Sequence, residues 1–107
     1  MENRRKNPRV GVSFPVECSV ASEKNYFYTV SKDLSNNGVK ILAGQALSKG
    51  ASLRLNINLI NKIVDVLAKV AWCNKERASE RYCVGLEFLE MDKLSQETLG
   101  GFLSKVS

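Results

Sequence analysis

From Ala51 to Leu59 every second residue is apolar: Ala51, Leu53, Leu55, Ile57 and Leu59, with Ser52, Arg54, Asn56 and Asn58 between them. Side chains alternate across a β-strand, so this pattern buries one face of a strand and wets the other. After the turn residues Ile60-Asn61-Lys62 the alternation resumes in Val64, Val66, Ala68, Val70 and Trp72, which predicts an antiparallel hairpin. Val10, Val12, Phe14, Val16, Cys18 and Val20 alternate in the same way, with Pro15 pointing to an edge or a bulge. Tyr26, Tyr28 and Val30 predict another strand, Val39 to Leu42 a short one, and Tyr82, Val84, Leu86 and Phe88 the last. Short strands at this spacing, joined by Gly, Asn and Ser turns, predict an all-β fold: a small closed or nearly closed antiparallel barrel with few open edges.

The period changes after Asp92, which is placed to cap a helix. Leu99, Phe102, Leu103 and Val106 fall at i, i+3, i+4 and i+7, one apolar stripe of a terminal α-helix. Gly100 and Gly101 each cost roughly 1 kcal/mol relative to alanine there, so packing must hold the helix.

A chain of 107 residues suits one domain with a single core. No apolar run has the length of a membrane span and the polar start is unlike a signal peptide, so a cytoplasmic protein without membrane insertion is expected. Three cysteines without C-x-x-C spacing, and no histidine, argue against a disulfide framework, a metal site or histidine acid/base chemistry. Asp65, Glu76, Glu80 and Glu87 lie in no catalytic context and read as solvated carboxylates. There is neither a phosphate-binding glycine loop with a following lysine nor a nucleophile with a positioned base, so no enzyme is expected.

The net charge of +5 is unevenly distributed, because residues 1–9 hold Arg4, Arg5, Lys6 and Arg9 against the single acid Glu2. Nucleic-acid surfaces spread their cations over a face, since affinity grows with the number of phosphates neutralised. A compact cationic arm better suits a small dianionic ligand, and no DNA or RNA partner is expected. Pro8 disfavours a helix here, leaving an extended or turning arm. A second cluster, Asp33-Leu34-Ser35-Asn36-Asn37-Gly38, packs a carboxylate, a hydroxyl, two amides and a glycine into one turn. Such residues make turns on their own account. With the arm, they also match a guanine nucleotide: arginine forks grip phosphates and the guanine O6/N7 edge, and a carboxylate accepts from guanine N1–H and N2–H₂.

The spacing Arg5-x-x-x-Arg9 followed by Asp33-x-Ser35-x-x-Gly38 resembles the bacterial PilZ domain, a receptor for cyclic dimeric GMP (c-di-GMP). Val70-Ala71-Trp72 and Tyr82-Cys83-Val84-Gly85-Leu86-Glu87-Phe88 look like later strands of that family, so the likeness covers nearly the whole chain. It implies a six-stranded antiparallel barrel over 10–90, a C-terminal α-helix over 92–106, and a flexible ligand-binding arm over 1–9. The ligand residues it implies are Arg5, Arg9, Asp33, Ser35 and Gly38, with Gly38 allowing positive φ or close backbone approach. Asn36 and Asn37 rank as minor contacts. Arg4, just before the arginine pair, implies an intercalated ligand dimer. The expected role is a stand-alone receptor whose arm orders on ligand and presents a surface to an unidentified downstream protein. Rivals are a PilZ-fold interaction module that binds no nucleotide and a small basic RNA-binding barrel. Trp72 and Phe88 lie on apolar phases and are expected in the core, Cys18 as a small buried hydrophobe, and Gly85 at a bulge or a close approach of another backbone.

Overall fold

The computed structural model describes residues 13–20 and 25–106. Six strands and one helix follow in order: β1 (Pro15–Val20), β2 (Asn25–Lys32), β3 (Gly38–Ala43), β4 (Ser52–Asn58), β5 (Ile63–Lys75), β6 (Tyr82–Met91) and α1 (Lys93–Val106). Each strand pairs antiparallel with its neighbours in the order β1-β2-β3-β6-β5-β4, and β4 returns to β1 to close the barrel. The expected six-stranded barrel with a terminal helix is therefore the fold observed.

The alternating residues fill the interior. Val16, Cys18, Leu53, Leu55, Ile57, Val64, Val66, Ala68, Val70 and Val84 are all within 2% of complete burial. Pro15 marks no edge, because the barrel has none; it is the first residue of β1, where its missing N–H costs little. The helix lies over β5 and begins at the expected cap: Asp92 Oδ1 accepts the Ser95 amide at 2.7 Å. Ser95 Oγ in turn accepts the amide of Asp65 on β5 at 3.2 Å, tying cap to barrel. Leu99 and Leu103 are 1% exposed, and Phe102 packs edge-on against Phe14 with ring centroids 5.2 Å apart. That packing offsets the two glycines within the helix. No helix among the described residues is long and apolar enough to cross a membrane.

Two phases differ from the sequence expectation. In β2, Tyr26, Tyr28 and Val30 point outward, 57%, 73% and 40% exposed, while Ser31 is fully buried. Ser31 fixes this phase, since its hydroxyl accepts the Phe14 amide at 3.0 Å and its own amide donates to the Phe14 carbonyl at 2.8 Å. A buried hydroxyl so satisfied holds its position as firmly as an apolar group. In β5 the alternation breaks near its end. Val70 faces Leu86 and Trp72 faces Gly85, so Ala71 is an extra residue, a β-bulge that reverses the phase. Trp72 consequently leaves the core and is 37% exposed, whereas Phe88 keeps its inward phase and packs against the core.

Candidate functional site

The turn between β2 and β3 is rigidly built. Leu34 is fully buried beneath it. The Ser35 amide donates to the Gly38 carbonyl at 2.9 Å and the Ser35 hydroxyl to the same oxygen at 3.3 Å, while Ser35 Oγ accepts the Asn37 amide at 3.2 Å. Asn37 offers its carbonyl to the Phe88 amide at 2.9 Å, which ties the turn to β6. Asp33 enters the turn with φ of 53°, a left-handed conformation that aspartate tolerates better than most residues. Ser35 is 7% exposed, and its hydroxyl keeps one acceptor lone pair beyond the turn's own bonds.

Gly38 serves close approach. A Cβ there would lie 2.3 Å from the Leu86 carbonyl oxygen, and this is backbone that has nowhere to go. The positive φ offered as an alternative is absent from Gly38 and occurs instead at Asp33.

Asp33, Ser35 and Gly38 line one cleft of about 240 Å³, together with Asn37, Lys40, Trp72, Gly85 and Glu87. The structure thus brings the three predicted turn residues to one place. Arg4, Arg5 and Arg9, with the proposed arm and the expected strand residues Val10 and Val12, lie outside the described residues. Asn37 also lines the cleft, whereas Asn36 faces a neighbouring groove.

Trp72 and Lys40 escaped the sequence reading. The indole covers Gly85 so closely that a Cβ there would sit 2.2 Å from its Cε2 and 2.3 Å from its Nε1. Gly85 is the close approach expected in mid-strand, but the partner is the Trp72 ring, released from the core by the Ala71 bulge. Lys40 lies directly across from Gly85 on β3, with Nζ 3.6 Å from Asp33 Oδ2. A signal for it existed, because residues two apart on a strand share a face and Lys40 follows Gly38 by two.

The cleft combines a flat aromatic surface with polar edges. Its carboxylates, Asp33 and Glu87, are matched by lysines, Lys40 on the first and Lys69 at 3.7 Å on the second. Half-exposed pairs of this kind contribute little to stability. They leave the described walls close to neutral, so tight binding of a dianion there needs cations from elsewhere. Among the described residues no group of His, Cys, Asp and Glu could hold a metal ion.

The family model of the PilZ domain matches residues 3–105. Among solved structures, the chain is similar to the Bacillus subtilis inhibitor of motility MotI/DgrA, with TM-score 0.80 and 23% identity over 97% of this chain and 51% of that one. It is similar also to the PilZ domain of YcgR from Escherichia coli, solved with c-di-GMP (TM-score 0.73, 14% identity, 97% of this chain and 92% of that). The MrkH–c-di-GMP complex from Klebsiella pneumoniae gives TM-score 0.73 at 16% identity over 99% of this chain and 52% of that. The chain therefore spans about half the length of MotI and MrkH. No curated protein matches the chain in sequence.

Proposed function

The chain belongs to the PilZ domain family, and we propose that it is a receptor for c-di-GMP, a binding protein and not an enzyme. The observation that carries this reading is the cleft: Asp33, Ser35 and Gly38 on a pinned turn, opposite an indole held flat over Gly85. Asp33 accepts from the Watson–Crick edge of one guanine, Ser35 uses its remaining acceptor toward the ligand, and Gly38 keeps the turn close to β6. Trp72 offers a stacking face, a contact worth about 1–3 kcal/mol per base. Arg5 and Arg9 supply the phosphate-binding cations that the near-neutral walls lack.

Chain geometry permits this. Phe14 is bonded to Ser31, two residues before Asp33. Arg9 is five residues before Phe14, a span of up to about 17 Å. Ligand thereby bridges arm and cleft, ordering the arm and creating a surface for a downstream protein, with the ordering driven by charge-assisted bonds made only in the closed state. Arg4 adds a guanidinium plane for a second ligand, giving an intercalated dimer.

The RNA-binding reading gains exposed aromatics in Tyr26 and Tyr28, but these share their outer face with carboxylates. Glu17 lies beside Tyr28 and accepts from the Tyr26 hydroxyl, and Asp65 lies two strands away in the same row. Arg54 on that face is paired with Asp65 at 3.9 Å, so the tyrosines have no excess of cations beside them to hold a polyanion. Isothermal titration with c-di-GMP, with GTP and cyclic GMP as controls, tests the proposal. Saturable heat near two ligands per chain, lost in Arg9→Ala, is the expected result; one per chain removes the role of Arg4. No heat at high ligand concentration would leave a protein-interaction module.

A further inference from the structure

Two lysines face each other at the edge of the cleft. β2 and β3 pair at Ser31↔Ile41 and Lys32↔Lys40. Ser31 and Ile41 are fully buried, so their strand neighbours Lys32 and Lys40 stand together on the outer face. Like charges directly opposite one another destabilise a sheet. Asp33 offsets one of them, with Oδ2 3.6 Å from Lys40 Nζ, and among the described residues no carboxylate pairs with Lys32. This edge therefore carries two ammonium groups against one carboxylate. Lys40 is also the one cation among the described residues that line the cleft. It lies across from Gly85, whose surface the Trp72 indole covers, so it stands beside both the carboxylate and the aromatic face.

A guanine edge on Asp33 brings two donors to the two carboxylate oxygens and crowds the ammonium off them. The Asp33–Lys40 pair is partly exposed, with side chains 28% and 44% accessible, so breaking it costs little. We infer that Lys40 is a phosphate-binding residue of the ligand site. As guanine takes Asp33, the Lys40 ammonium passes to a ligand phosphate, and Lys32 reinforces it from the neighbouring strand. Lysine suits such an exchange, because its compact charge rides on a flexible four-carbon stem. Phosphate suits it too, because an anion between the two lysines relieves the repulsion that one carboxylate leaves. Lys40 and Lys32 thus add cations on the barrel itself to Arg5 and Arg9 of the arm. This role rests on the receptor reading.

The test titrates c-di-GMP into the full chain and four variants by calorimetry, with the melting temperature of each ligand-free chain. Lys40→Met should weaken binding about tenfold, whereas Lys40→Arg, which keeps a phosphate-binding cation, should stay within about threefold. Lys32→Met should weaken binding about threefold, yet leave the ligand-free chain as stable as the parent or slightly more so, because it removes a like-charge pair. Lys62→Met, at the tip of the β4–β5 hairpin, changes net charge equally and should stay within about twofold. Lys40→Met binding as tightly as the parent, or more tightly, would show an ammonium that only competes for Asp33 and would overturn the inference. An equal loss in Lys62→Met would reduce the effect to net charge and overturn it as well. These outcomes leave the receptor reading standing. A parent chain that binds no c-di-GMP would instead remove that reading, and the role of Lys40 with it.

Discussion

β5 serves two partners in two ways. Toward β4 it pairs in unbroken register from Ser52↔Lys69 to Asn58↔Ile63. Toward β6 it slips twice, at Ala71 on its own strand and at Leu89 on β6. The unbroken side holds the core and displays little chemistry. The slipped side aims Trp72 into the cleft beside the 33–38 turn and Leu89 at the edge of the groove against α1. At these two points broken register turns outward an apolar side chain that continued alternation would have sent inward or left paired, whereas Tyr26 and Tyr28 face out from regular pairing.

Substitutions on the two sides should therefore separate stability from binding. Leu55→Ala, at a fully buried site of the regular side, should cost about 2–5 kcal/mol in denaturant unfolding. The folded fraction should still bind c-di-GMP with native affinity. Gly38→Ala puts a Cβ against the Leu86 carbonyl, so strand separation at the turn must change. A loss of about 1–3 kcal/mol is expected, now accompanied by at least a tenfold weaker affinity. If Gly38→Ala bound normally, the turn's geometry would not matter to the ligand.

Trp72→Ala sharpens the contrast. A buried tryptophan costs roughly 3–5 kcal/mol on truncation; this partly exposed one should cost about 1 kcal/mol. Its affinity for c-di-GMP should nevertheless fall about tenfold, from lost stacking. On the far side of β4, Cys18 of β1 lies opposite Leu55, and burial, aided by the Glu17 carboxylate, pushes its thiol up to about 12 from an ordinary 9.0. The folded chain keeps this thiol neutral while the unfolded chain ionises above pH 9, so stability present below pH 9 is lost progressively toward pH 12. Relative to Cys18→Val, the parent should lose about 1 kcal/mol between pH 9 and 10.

The smallest effect should be a gain. Ile60, at the tip of the β4–β5 hairpin, has φ of 76° and is 77% exposed, a strained setting for a branched side chain. Ile60→Asn should stabilise by about 0.5–1 kcal/mol and raise the melting temperature by about 4 °C.

The regular side was legible because alternation is a local property: Ala51 to Leu59 and Val64 to Val70 specify their faces residue by residue. The slipped side was not, because Trp72 continues the alternation of Val70 and only the pairing with Gly85 shows that Ala71 has been squeezed out. Tyr26-Phe27-Tyr28 misled for a related reason, since three apolar residues in a row carry no phase and the buried Ser31 hydroxyl decides it. Of the candidate site, the turn residues were readable from their spacing. Lys40 could have been read from its place two residues after Gly38 on one strand face, whereas Trp72 joins them only through a contact between strands distant in sequence.

Trp72 is the chain's one tryptophan, so its emission reports on the cleft directly. Titrating the protein with c-di-GMP while recording that emission tests the central claim. A saturable change, absent with GTP and abolished in Arg9→Ala, is the predicted result. Emission that stays constant while c-di-GMP binds by calorimetry would place the ligand elsewhere and contradict the cleft.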